Sequence, residues 1–96
     1  MYKLNSTKHF EKAVTKLLKS KRLSQEVFKK TILTLIKTPF SLKLKTHKVV
    51  SRNHGQRYSS RIDGDLRIIW DFDENENLVL LLLDIGGHDG KRAVYK

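Results

Sequence analysis

Four histidines, at positions 9, 47, 54 and 88, carry the side chains of this chain best suited to exchanging protons near neutral pH. His88 stands in Gly86-Gly87-His88-Asp89, a loop that follows an apolar run, and such loops commonly present a side chain for use. His47 lies in a basic stretch and reads from spacing alone as either an acid–base group or a solvated connector residue. His9, on a basic helix surface, and His54, in a loop, are expected to have no special role. No two histidines are spaced i, i+4, and the chain has no cysteine. Disulfides and thiolate sites are therefore excluded, and local spacing offers no metal-ligand set. Arg67 alternates with Ile68 and Trp70 and so cannot be core. It is expected either to do chemistry or to form a cross-strand ion pair with Asp71 or Asp84, and Arg61 and Asp65 read in the same way as a hairpin-end salt bridge.

These residues sit in a chain of 96 residues with 20 Lys+Arg, 10 Asp+Glu and a formal net charge of +10. The length implies one domain spanning 1–96, with a single core and no room for a second. The charge is uneven. Residues 1–50 hold 13 Lys+Arg and 2 acids, whereas residues 51–96 hold 7 and 8. Such a field attracts polyanions, of which nucleic acid is the commonest, although an anionic membrane or an acidic protein would satisfy the same electrostatics. The longest apolar run, Leu78 to Leu83, is too short to span a bilayer, and the first residues lack a signal-peptide core, so a cytoplasmic location is expected.

The elements that must position the candidate residues follow from periodicity. A short strand at Tyr2 to Leu4 precedes Ser6 or Thr7, either of which can cap a helix with Phe10, Ala13, Val14, Leu17 and Leu18 on one face. Ser24 caps a second helix carrying Val27, Phe28, Ile32, Leu35 and Ile36, which Pro39 stops. Residues 41–57 include Lys43, Lys45, Lys48, Arg52 and Arg57 and no acid, show little periodicity, and are expected to form an irregular cationic connector. A strand at Tyr58 to Ile62, a turn at Asp63-Gly64 and a strand through Leu66, Ile68, Trp70 and Phe72 follow. The apolar Leu78 to Ile85 reads as a central strand covered on both faces. The expected fold class is α+β, an N-terminal strand and two-helix hairpin packed on a twisted antiparallel sheet.

Three pieces, Leu44-Lys45-Thr46-His47-Lys48, Tyr58 through Trp70, and Asp84-Ile85-Gly86-Gly87-His88-Asp89 with the later Val94-Tyr95, together resemble the RelE/ParE toxin superfamily of bacterial toxin–antitoxin systems, and within it the YafQ-like ribosome-dependent mRNA interferases. The element order resembles that family along essentially the whole chain. The resemblance implies an endoribonuclease in which the RNA 2′-hydroxyl attacks the adjacent phosphate without a metal or other cofactor. That chemistry needs a general base, positive charge for the phosphorane-like transition state and an acid for the leaving 5′-oxygen. By the resemblance, the catalytic set is His47, Arg61, Asp65, Arg67, His88 and Tyr95. Arg67 is the phosphate clamp, and Tyr95 is the C-terminal aromatic that stacks on a base or assists proton transfer. Relatives carry His or a basic residue at Arg61, and a guanidinium does not deprotonate near neutral pH, so the base role falls to His47 and the acid role to His88. Gly90-Lys91-Arg92-Ala93 also makes the connection to Val94-Tyr95 longer than is usual in the family.

Lys43, Lys45, Lys48, Arg52 and Arg57 are expected to track phosphates of mRNA and ribosomal RNA, and the implied partners are a cognate antitoxin and the ribosome, with no membrane role. Two competing functions remain at this stage. One is a ParE-like toxin that inhibits DNA gyrase by binding and does not need the histidines. The other is a basic nucleic-acid-binding module, for which the sequence offers no helix-turn-helix and few exposed aromatics.

Overall fold

Thr7 and Ser24 begin the two helices because each side-chain oxygen accepts an otherwise unpaired backbone N–H. Phe10 N–H donates to Thr7 Oγ1 at 3.1 Å, and Val27 N–H to Ser24 Oγ at 3.4 Å. The computed structural model, which describes residues 1–75, 78–87 and 94, places these helices at α1 (Lys8–Lys19) and α2 (Gln25–Lys37). His88 and Tyr95 lie outside the described residues. No described helix is long and apolar enough to cross a membrane.

The strands are β1 (Lys3–Ser6), β2 (His47–Ser51), β3 (Gly55–Arg61), β4 (Leu66–Phe72) and β5 (Val79–Gly87). They form one sheet in the order β1-β5-β4-β3-β2. The α+β class is as the sequence implies, with two differences in the sheet. First, β1 pairs with β5 in parallel, Lys3 opposite Val79 through Ser6 opposite Leu82, while the other pairs are antiparallel. Second, most of the stretch expected to be an irregular connector is a hairpin, β2 pairing with β3 from His47 opposite Ser59 to Ser51 opposite Gly55. The physical reason is that β2 is an edge strand with four of its five residues outside the core, so hydrogen bonding rather than apolar alternation defines it. Gly55, at φ 73°, supplies the left-handed backbone that ends this hairpin's turn.

The apolar run becomes β5, flanked by β1 and β4, and its two faces serve two clusters. Leu80, Leu82 and Ile85 join Phe10, Leu17, Leu35, Leu66, Ile68 and Trp70 beneath the helices. On the opposite face Leu83 packs with Ile69 and Val94. Trp70 is core, as expected, and its Nε1–H donates to Ser60 Oγ at 2.8 Å. That hydroxyl also lies 2.6 Å from Thr46 Oγ1, which binds the carbonyl of Pro39. The indole thus anchors the segment that enters β2, one residue before His47.

The strand pairing of β4 and β5 contains a bulge. Ile69 faces Asp84, but Trp70 faces Leu82, leaving Leu83 as an extra residue. A bulge of this kind twists a strand and redirects its side chains. Asp84, the next residue, lies two positions beyond the last β1 partner of β5.

Candidate active site

The open end of the β2–β3 hairpin gathers three of the sequence-predicted residues, Arg61, Arg67 and His47. Arg61 and Arg67 are direct cross-strand partners in the β3–β4 ladder. His47 is paired with Ser59, two residues before Arg61, so the alternation of strand side chains sets His47 diagonal to Arg61 on one face, about 7–8 Å apart. Arg67 alternates with Ile68 and Trp70, which point to the helices, and so occupies the face turned away from them.

Both guanidinium groups are fixed by the β3–β4 turn. Arg61 Nε–H donates to the Asp63 carbonyl at 3.0 Å, and Arg67 Nη1–H donates to the same oxygen at 2.7 Å and to the Leu66 carbonyl at 3.0 Å. The turn is itself tied by Asp63 Oδ1, which accepts the N–H groups of Asp65 and Leu66, both at 2.8 Å. Two like charges placed opposite each other on a sheet repel. Here the partners are neutral peptide oxygens, and among the described residues neither arginine has a carboxylate partner. The ion pairs expected for them are not formed. Asp71 is taken by Arg57, whose Nη1 lies 3.1 Å from Asp71 Oδ2, and Asp65 by Arg22, while Asp84 faces histidines.

His47 is exposed, and its Nδ1 lies 2.8 Å from the carbonyl of Lys45. A carbonyl only accepts, so this contact requires Nδ1 to carry the proton, and in the neutral ring the lone pair is then on Nε2, the tautomer that a general base needs. Lys45 makes this contact from a left-handed backbone at φ 48°. That conformation costs a non-glycine residue about 1–2 kcal/mol, and strain of this size tends to persist beside functional groups.

The five candidate RNA-tracking residues separate. Lys43 and Arg61 share the wall of a cavity of about 220 Å³ with Lys30 of α2. Lys45 and Lys48 are exposed, Lys48 Nζ sitting 5.7 Å from the centre of the Tyr58 ring. Arg52 is exposed in the β2–β3 turn. Arg57 is held by Asp71 and by the His54 carbonyl, which makes it less available to a phosphate than a solvated arginine.

The histidines given no role by spacing have partners that only the fold reveals. His9 Nε2 lies 3.1 Å from Asp84 Oδ1, and His54 Nε2 lies 3.7 Å from Asp84 Oδ2. Burial pushes the His54 pKa below the ordinary 6.5, with Asp84 opposing that shift and His9 and Arg57 adding to it. Arg22, on the α1–α2 connection, is a further cation beside the candidate site that sequence reasoning did not single out.

No protein-family model and no curated protein sequence matches this chain. Solved structures do. A copper-bound mutant toxin from Helicobacter pylori is 28% identical over 92% of this chain and 96% of its own, with a TM-score of 0.70. The likeness is one of fold, and the YafQ toxins share it. YafQ from Escherichia coli superposes on 91% of this chain and 93% of its own at a TM-score of 0.67 and 17% identity. The toxin–antitoxin complex DinJ–YafQ, also from E. coli, gives a TM-score of 0.68 at 20% identity, covering 92% of this chain and 94% of that one. This chain thus has the α+β fold of those toxins, two helices packed on a five-stranded mixed sheet.

Proposed function

We propose that this chain is the toxin of a toxin–antitoxin pair and a ribosome-dependent endoribonuclease that cleaves mRNA in the cytoplasm. The observation that carries this reading is the pairing of Arg61 and Arg67, two adjacent cations whose partners among the described residues are peptide oxygens, with His47 diagonal to Arg61 on the same face. A phosphodiester fits that gap, because the charge missing between the two guanidinium groups is the charge a phosphorane-like transition state develops. His47 Nε2 takes the proton from the 2′-hydroxyl, which attacks the adjacent phosphorus. The bond to the 5′-oxygen breaks as that oxygen gains a proton from His88, leaving a 2′,3′-cyclic phosphate and a 5′-hydroxyl. Arg67 and Arg61 hold the non-bridging oxygens, Asp65 orients Arg22 at the rim, and Tyr95 stacks on a substrate base.

The exposed lysines of the first half supply the long-range attraction to ribosomal RNA. A cognate antitoxin covers the basic face by ordering an acidic segment over it; that an antitoxin is the partner is supported by the DinJ–YafQ toxin–antitoxin complex. Mapping of 5′ ends on a reporter mRNA, incubated with purified protein with and without translating ribosomes, tests the proposal. Cuts in register with codons that appear only with ribosomes are expected. Cuts on naked RNA remove the ribosome dependence, and no cuts in either case favour a binding toxin of the gyrase-inhibiting kind.

A further inference from the structure

The three groups His9, His54 and Asp84 come from α1, from the β2–β3 turn and from the bulged end of β5, and they are unrelated to the cleavage chemistry proposed above. One ligand atom from each lies within 4.8 Å of the other two. The two separations from Asp84, 3.1 Å and 3.7 Å, bracket the roughly 3.3 Å between donors of a tetrahedral ion with bonds of about 2.0–2.1 Å. The Asp84 side chain is 7% exposed, and a buried carboxylate needs a charge or hydrogen-bond partner.

One member of this cluster is also unsatisfied. His54 Nε2 is shut off from solvent and has no hydrogen-bond partner. Buried polar atoms left this way are rare, and each calls for an explanation such as an ion. The donor set is two imidazoles and one carboxylate, which suits zinc and its neighbours in the first transition row rather than magnesium or calcium. The His9 and Asp84 side of the cluster opens on a cavity of about 240 Å³ that also has Lys16 and Arg22 on its wall, leaving room for a water or small anion as a fourth ligand.

We propose that His9, His54 and Asp84 form a binding site for a divalent transition metal of the zinc class, which ties the start of α1 and the tip of the β2–β3 hairpin to the bulge of β5. The ion is structural. Its ligands lie at the turn end of that hairpin, whereas His47 lies at the open end, four strand residues away or about 13 Å along β2.

Isothermal titration of the chelator-treated full chain with zinc chloride tests the site, with cobalt(II) absorption as a second readout of geometry. One zinc per chain and the visible bands of tetrahedral cobalt are expected. His9→Gln, at a side chain that is 56% exposed and with an amide that can still donate to Asp84, should weaken zinc binding at least about tenfold, as even the loss of an outer hydrogen-bond partner can do at a metal site. His54→Gln should do the same, and His47→Gln should leave the affinity unchanged. The proposal is overturned by no saturable uptake in the wild type, by unchanged affinity in His9→Gln, or by loss of binding in His47→Gln.

Discussion

The two ends of the β2–β3 hairpin handle charge in opposite ways. At the open end, Arg61 and Arg67 stand side by side with neutral carbonyls as their only described partners, and His47 is exposed. At the turn end, two histidines converge on a buried carboxylate that already supplies the opposite charge. As proposed, the first arrangement takes an anion and the second a cation, so the same hairpin serves a phosphodiester at one end and a metal ion at the other, and substitutions at one end should leave the other nearly untouched.

The largest effect that would break this division is expected at His47. His47→Gln removes the Nε2 lone pair and should lower mRNA cleavage by about 10²–10⁴, the usual contribution of a general base, while zinc binding holds. Arg67→Ala should follow, costing about 2.7–4 kcal/mol of transition-state stabilisation, as loss of a preorganised oxyanion donor does. Single-turnover cleavage on stalled ribosomes measures both, and a near-wild-type rate for either removes that residue from the site. Ser60→Ala leaves the Trp70 Nε1–H without its acceptor in the core and should destabilise the fold by about 1–3 kcal/mol in urea denaturation. Asp65→Asn breaks only the exposed pair with Arg22 and should cost less than about 1 kcal/mol in the same assay. A larger stability loss would mean that Asp65 holds the hairpin rather than serving at its rim.

His54 sharpens the comparison through pH. Its folded pKa lies below the unfolded value of 6.5, so between the two values the unfolded chain binds more protons than the folded one. The stability that neutral His54 contributes is therefore fully present above pH 6.5 and is lost as the pH falls through the folded pKa. Metal-free protein should show this acid-side loss in its Tm, and His54→Gln should show less of it. Equal slopes in the two proteins would contradict the burial of His54 against Asp84, His9 and Arg57.

Local pattern was enough for much of the frame. The caps Thr7 and Ser24, the apolar spacing of α1 and α2, and the alternation of β4 are all properties of neighbouring residues, and the structure keeps them. Edge strand β2 is different, since His47, Lys48 and Val50 are exposed and no period of two survives. The parallel pairing of β1 with β5 joins residues some 76 positions apart, which no window along the chain can detect. At the candidate cleavage site, alternation shows only that Arg67 points away from the core. The grouping of Arg67 with His47, Arg61 and Asp65 came from family resemblance. Asp84 illustrates the limit most clearly, because a polar residue ending an apolar strand reads as a strand terminus. Only the bulge at Leu83 and the fold of the β2–β3 turn bring it to His9 and His54.

The central claim is that RNA cleavage belongs to the open end of the hairpin. Its most direct test is the initial rate of mRNA cleavage on translating ribosomes for His47→Gln and His54→Gln side by side with the wild type. The account predicts a fall of at least about a hundredfold for His47→Gln and a change within about threefold for His54→Gln. A His47→Gln enzyme that cuts at the wild-type rate, or a His54→Gln enzyme as inactive as the first is predicted to be, would contradict it.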